Sequence, residues 1–271
     1  MESDKPVNPY QSPSVDIISA APESDAEFID GGRTVPAGNG VNWIGTGWNI
    51  FTQSPIAWIV CTVIMVVISL VLGFIPIIGG IISNILFIVF AGGLMLGCQA
   101  QHTGRPLEIG DLFGGFKEKA GPLMIVGLLF IAASIVLFII AIILLAIFAG
   151  ATGLLGALMS GNGDSLAPLF GRSIVMVLLI GLVMAALSVP IAMGLWFAPV
   201  LVALQNATPT AAIRMSFFAC LKNFLPFLLY GLVFLVIFVI AVLPFGLGLL
   251  VALPLLSAST YAAYRDIFLV D

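Results

Sequence analysis

Few side chains in this sequence have the type and spacing for chemistry. His102 is the single histidine and stands with Gln99 and Gln101 in a polar stretch. Zinc takes four protein ligands, or three and a water, at characteristic spacings, and neither carboxylates nor thiols recur at such spacings around His102. A solvated loop histidine is the reading, with no metal and no cofactor. Glu108 and Asp111 are spaced for one face of a helix and could in principle exchange protons. At the start of a helix, solvated carboxylates are explained by the favourable field of the helix N-terminus. No G-x-S-x-G, no G-x-x-x-x-G-K-[ST] and no H-E-x-x-H occurs, so no catalytic residue is assigned and the chain is read as a non-enzyme. The three cysteines, Cys61, Cys98 and Cys220, form no C-x-x-C pair and are read as reduced thiols.

The remaining candidates are polar or helix-breaking residues inside apolar runs. Asn84 is the one amide well inside such a run, where it could coordinate a polar solute or make an interhelical hydrogen bond. Pro190 and Pro199 interrupt a run of about 31 residues, which as a straight helix would measure about 46 Å. Pro254, with Ser257 and Ser259, offers a natural partner across the bundle. Asn84, Pro190, Pro254 and Ser257 are therefore the candidates for a polar path or for helix packing. Gly93 and Gly97 form a small-xxx-small pair expected to pack inside the monomer. The sequon at Asn206 is read as spurious, since it faces the cytosol in the topology below and Pro209 follows.

Composition fixes the elements that carry these residues. Of 271 residues, 61% are hydrophobic and 8% charged, with mean hydropathy +1.22; a soluble domain carries about 25% charged residues. The class is a polytopic membrane protein. Six apolar runs, at about 55–74, 77–100, 122–149, 174–204, 224–244 and 246–264, each approach or exceed the roughly 20 residues that span a bilayer core. Pro76 with Gly79 and Gly80, and Pro244 with Gly246 and Gly248, turn two of the runs back on themselves. Lys5, Arg33, Arg105, Lys117, Lys119, Arg214, Lys222 and Arg265 fall on one side of a six-span topology, and Arg172 alone on the other. This bias predicts that both termini are cytosolic.

Residues 1–40 are rich in Pro, Ser, Asp and Glu, and residues 1–42 carry a net charge of −5. They are predicted to form a disordered acidic tail, leaving 41–271 as the membrane domain. The tail includes "NPYQSP", which is not the N-P-x-Y pattern and is read as solvated chain, and no cleavable signal is expected. Clustered Lys and Arg are absent, so nucleic acid is not an expected partner.

An internal echo organises the membrane domain. "IGDLFGGFKEKAGPLMIVGLLF" (109–130) and "IRMSFFACLKNFLPFLLYGLVF" (213–234) share six identities at an offset of 104. Each reads as an interfacial amphipathic helix followed by a crossing that Pro122 or Pro226 opens, where a missing N–H costs nothing. Phe113, Phe116, Phe217 and Lys222 are the candidate residues of these helices. "WIGTGWNIFTQSPIAW" before Pro55 is a shorter relative, with Ile44, Trp48 and Phe51 on one face. The prediction is an all-α, six-span helix bundle built from three pseudo-repeats.

These units, with "WFAPVLVAL", "SFFACLKNFLPFLLYGL" and "STYAAYRDIF", resemble an uncharacterised family of bacterial inner-membrane proteins. That family is similar to the membrane domains attached to glycerophosphoryl diester phosphodiesterases. The resemblance covers about residues 45–268 and implies a helical bundle in a bacterial inner membrane. It carries over neither an activity nor site residues, because only five residues follow Asp266 and the family has no assigned chemistry. Two functions remain open: a non-enzymatic scaffold or accessory protein, binding membrane lipids and a protein partner through the tail or the cytosolic face, and a small transporter or channel for an uncharged or lipid-like substrate.

Overall fold

A computed structural model describes residues 27–117, 119–151 and 167–270, so residues 1–26, with "NPYQSP", lie outside the described residues. Ten α-helices are described: α1 (Asn39–Gln53), α2 (Pro55–Gly73), α3 (Ile78–His102), the short α4 (Ile109–Leu112), α5 (Ala120–Ala151), α6 (Ala167–Trp196), α7 (Ala198–Gln205), α8 (Pro209–Lys222), α9 (Phe224–Val242) and α10 (Leu249–Phe268). A 3-10 turn, Gly114–Phe116, follows α4. Two short strands, β1 (Glu27–Phe28) and β2 (Leu269–Val270), pair antiparallel with Glu27 opposite Val270.

Five segments are long and apolar enough to cross a membrane: Pro55–Gly73, Ile78–His102, Ala120–Phe148, Ile174–Gln205 and Phe224–Val242. The sixth run is a helix, α10, that falls outside this set. The reason is its surroundings. α10 packs against α1, α9, α2 and α3, and its buried positions are filled by Ala252, Ala258, Ala262, Ala263, Ser259 and two tyrosines. Residues chosen to fit among neighbouring helices are small or polar, so the segment is less apolar than one facing lipid.

The core lies at the end of the bundle that carries β1 and β2, called the terminal end below. Trp58, Val89, Leu123, Val126, Phe197, Leu201, Tyr264 and Phe268 are wholly or almost wholly buried there. Towards the other end, the surfaces of α2, α5, α6 and α9 are open, with Leu70, Phe138, Ile142, Leu178, Leu182 and Val239 exposed. A continuous exposed apolar surface of this kind suits hydrocarbon rather than water.

The sequence left open whether the apolar face of each amphipathic segment meets lipid or the bundle, and the structure shows which residues are buried. In α1 the buried residues are Gly40, Trp43, Gly47, Ile50 and Phe51, against α10, while Trp48 is exposed. In α8 they are Ala212, Ser216, Ala219 and Cys220, with Phe218 and Leu221 outward. The segment at 109–116 is a single turn of α-helix and a 3-10 turn, whose Phe113 and Phe116 pack on Phe90 of α3. Close backbone approach selects these faces. A Cβ on Gly47 would lie 2.6 Å from the Ser259 nitrogen, and one on Gly93 would strike the Leu112 carbonyl.

Of the residues read as tail, 27–33 pack on the end of α10 and Val35 bonds Asn223. The N–H groups of Ile29 and Arg33 donate to the carbonyls of Phe268 and Ile267, both at 2.8 Å. The Arg33 guanidinium bonds the Asp266 carboxylate and its carbonyl. Asn39 Nδ2 and Trp43 Nε1 each donate to Asp266 Oδ2 at 2.8 Å. Hydrophobicity alone did not reveal this segment because Phe28 and Val35 are its few apolar anchors and hydrogen bonds supply the rest of its attachment.

Two outcomes test the packing. Gly47→Leu should lower stability by about 2 kcal/mol through overpacking, whereas Gly45→Leu, where a Cβ meets nothing within 4 Å, should be silent in the same thermal melt. Asn223→Leu should speed tryptic cleavage after Arg33 several-fold by removing the side chain that holds residues 33–35, with cleavage followed by intact mass.

Candidate functional site

Three helix junctions lie at the terminal end, each next to a proline that cannot continue the backbone ladder. Between α1 and α2, Pro55 has no N–H and the Ser54 N–H turns to Phe51 O. The Ile50 carbonyl instead accepts from Gln101 Nε2 at 3.0 Å, and Gln101 Oε1 accepts from the Trp58 indole at 3.1 Å. Between α6 and α7, Pro199 opens α7 and the ladder stops at Phe197. Here the Ser216 hydroxyl is inserted: it accepts from Phe197 N–H at 2.9 Å and donates to Met193 O at 2.6 Å. Between α8 and α9, Asn223 accepts from Val35 N–H at 2.8 Å and donates to Arg33 O and Ala219 O, each at 2.9 Å. Ser216 and Asn223 are fully buried and Gln101 nearly so.

Gln101 was noted in the sequence only as a neighbour of His102, and Ser216 was not singled out. Neither stood out, because the signal is a partner carbonyl or N–H on a distant element. The structure also accounts for other polar candidates. Arg105 pairs with Glu108 and Asp111 at 3.4 and 2.7 Å, and Asp111 Oδ2 accepts from Glu108 N–H at 2.9 Å. Asp111 holds the Arg105 pKa above its ordinary value. These charges therefore shape the turn before α4. His102 ends α3 and meets the Arg265 guanidinium, in a cleft of about 400 Å³ that also includes Arg33 and Asp266. Asn206 bonds Lys119. Lys222 Nζ donates to Gly31 O at 3.2 Å and Gly32 O at 3.3 Å, and Phe217 stacks edge-on against Phe218. Burial pushes the Cys220 thiol up to about 12, against a smaller pull from Ser216, so this thiol is a packing group at neutral pH. Among the described residues, no three His, Cys, Asp or Glu side chains gather to hold a metal ion.

The structure brings two of the four path candidates together. Asn84 and Ser257 line one cleft of about 340 Å³, with Phe87, Trp196, Pro199 and Thr260. Pro190 lies inside α6 without ending it and Pro254 is buried in α10; neither lines that cleft. The polar groups of the cleft turn back on their own helices: Asn84 donates to Gly80 O at 2.8 Å, Ser257 to Leu253 O at 3.3 Å and Thr260 to Leu256 O at 2.8 Å. A second cleft, of about 580 Å³, is lined by Trp196, Phe227, Tyr230, Phe234 and Leu256. Trp196 belongs to both.

A probable inner membrane protein of Burkholderia thailandensis is 30% identical to this chain over 233 residues, which cover 84% of this chain and 82% of that protein. No family model matches the chain, and no solved structure matches it.

Ser216→Ala leaves the Phe197 N–H and the Met193 carbonyl without their bridging hydroxyl. The expected loss is about 1–3 kcal/mol of stability, read as a lower melting temperature in detergent.

Proposed function

We propose, for a chain that belongs to this family of bacterial inner membrane proteins, a non-enzymatic scaffold or accessory role. The observation that carries this reading is where the polar side chains are engaged. At the terminal end they fasten segments of chain to one another, and along the spans Asn84, Ser188, Ser257 and Thr260 bond their own helices. Acid–base or nucleophilic chemistry needs groups that converge on a reacting atom, and this arrangement favours structure instead. The reading includes α10 as a sixth crossing, three repeated units of interfacial segment and helix pair, and a cytosolic location for both termini, supported by the distribution of Lys and Arg. It also includes kinship with the membrane domains linked to phosphodiesterases. The partners are membrane lipids and a protein that docks on the acidic tail or the cytosolic face.

A second reading, a small transporter, draws on one observation: Asn84 and Ser257 share a cleft. Deleting residues 1–26 leaves the Arg33, Asn39 and Asp266 contacts in place and separates the two readings. If the tail docks a partner, native mass spectrometry of the intact protein shows a stoichiometric protein that the deletion removes. If no protein accompanies either form, and Asn84→Leu abolishes a solute flux into proteoliposomes, transport replaces the scaffold. For topology, an impermeant maleimide applied to intact cells should label a cysteine placed at Asn162 but not one at Gly121. The reverse pattern overturns the orientation.

A further inference from the structure

Two turns lie at the end of the bundle away from β1 and β2, one joining α2 to α3 and the other α9 to α10. Both present large apolar side chains to the outside: Phe74 and Ile77 in the first, Leu243 and Phe245 in the second, are largely or fully exposed. The turns are built alike. In each a proline, Pro76 or Pro244, precedes a residue with left-handed backbone, Ile77 at φ 63° and Phe245 at φ 55°. Each then closes on a glycine. A Cβ on Gly79 would strike the Leu72 carbonyl, and one on Gly248 would lie 2.6 Å from the Ala241 Cα. Left-handed backbone costs an ordinary residue about 1–2 kcal/mol, whereas glycine or asparagine adopts it readily. A turn facing water gains nothing from a bare isoleucine or phenylalanine at that position. In hydrocarbon those side chains are well placed, and an asparagine amide is not.

Backbone pairing and helix length agree with this. In the first turn the N–H groups of Phe74, Ile75, Ile78 and Gly79 donate to carbonyls of residues 71–76. In the second, those of Gly246, Leu247, Leu249 and Leu250 donate to carbonyls of residues 242–247. Such internal pairing is what a turn inside a bilayer requires. A hairpin tip lies no farther from the terminal end than its shorter helix allows. That helix is α2 or α9, each of 19 residues and so about 28 Å long, against a hydrocarbon core of about 30 Å. By contrast, α5 and α6 have 32 and 30 residues, about 48 and 45 Å. No Asp, Glu, Lys or Arg occurs at 34–104 or 223–264, so neither hairpin brings a charge to the far headgroups. We infer that both turns end inside the leaflet opposite the terminal end, where acyl chains cover Phe74, Ile77 and Phe245. This surface continues the lipid-facing sides of α2 and α9. The inference rests on the crossings in the reading above but holds for either orientation, so it and the maleimide experiment fail separately.

The test uses the full-length protein in liposomes, with a nitroxide attached through I77C or F245C. Wild type, whose Cys61, Cys98 and Cys220 are buried, corrects for background labelling. Relaxation of the label by oxygen, which concentrates in hydrocarbon, is compared with relaxation by a water-soluble nickel chelate. Oxygen should act several-fold more strongly than the chelate at both positions. An equal or stronger effect of the chelate puts the turns in water. A weak effect of both reagents puts them against protein, a second copy of the chain included. Either result overturns the inference. F245N gives a readout without the label: the amide enters hydrocarbon, so the melting temperature in liposomes should fall. An unchanged or higher melting temperature, the outcome for a left-handed residue in water, overturns it.

Discussion

A helix that breaks inside a bundle surrounded by hydrocarbon leaves backbone N–H and C=O groups that water cannot satisfy, and much of this structure follows from how those groups are paired. At Phe197 the ladder is bridged by one hydroxyl from α8, with Ser216 between the N–H of Phe197 and the carbonyl of Met193. At Ile50 the partner is the Gln101 amide from α3. The Asn223 side chain pairs backbone groups of residues 33 and 35. Each bond joins elements far apart in sequence, so closing the junctions also sets the arrangement of the helices. α8 cannot leave α6 without reopening the break, and residues 27–35 cannot leave α10 without exposing Asn223.

With the terminal end fixed in this way, the spans are free to differ at the other end. Their packing there needs no strong drive, because lipid tails are as apolar as the side chains they meet. Association in the core depends on close approach and hydrogen bonds instead, which explains the glycine, alanine and serine along the contacts of α1, α3, α8 and α10. It also explains why clefts open between α3, α6, α9 and α10 just beyond the core.

This physics decides what the sequence could disclose. Proline opens α2, α7 and α8, and the apolar runs mark the helices to within a few residues, because length and hydropathy are set by the bilayer and by the backbone. Which face of α1 or α8 packs inward was not legible from hydrophobicity. In water the buried face is the apolar one, but here large apolar residues such as Trp48, Phe218 and Leu221 can face lipid while Gly47, Ala212 and Ser216 face protein. The discriminating property is side-chain size. α10 is partly polar because neighbouring helices enclose it, and residues 27–38 read as tail because their hydrogen bonds to α10 and Asn223 leave no hydropathy signal. Asn84 and Ser257 were legible as polar residues inside apolar runs, whereas Gln101 and Ser216 did not stand out, since their partners include backbone atoms on elements that sequence does not bring near.

The contrast among the tryptophans carries the argument one step further. Trp43 donates to Asp266 and Trp58 to Gln101, both in the packed end where each indole has an assigned acceptor. Trp48 lies exposed on α1. Trp196 lies between the two backbone groups that Ser216 bridges, and its own N–H has no acceptor among the described residues. An unpaired buried N–H costs about 1–3 kcal/mol, and phenylalanine at this position would avoid that cost while keeping contacts with Phe227 and Tyr230.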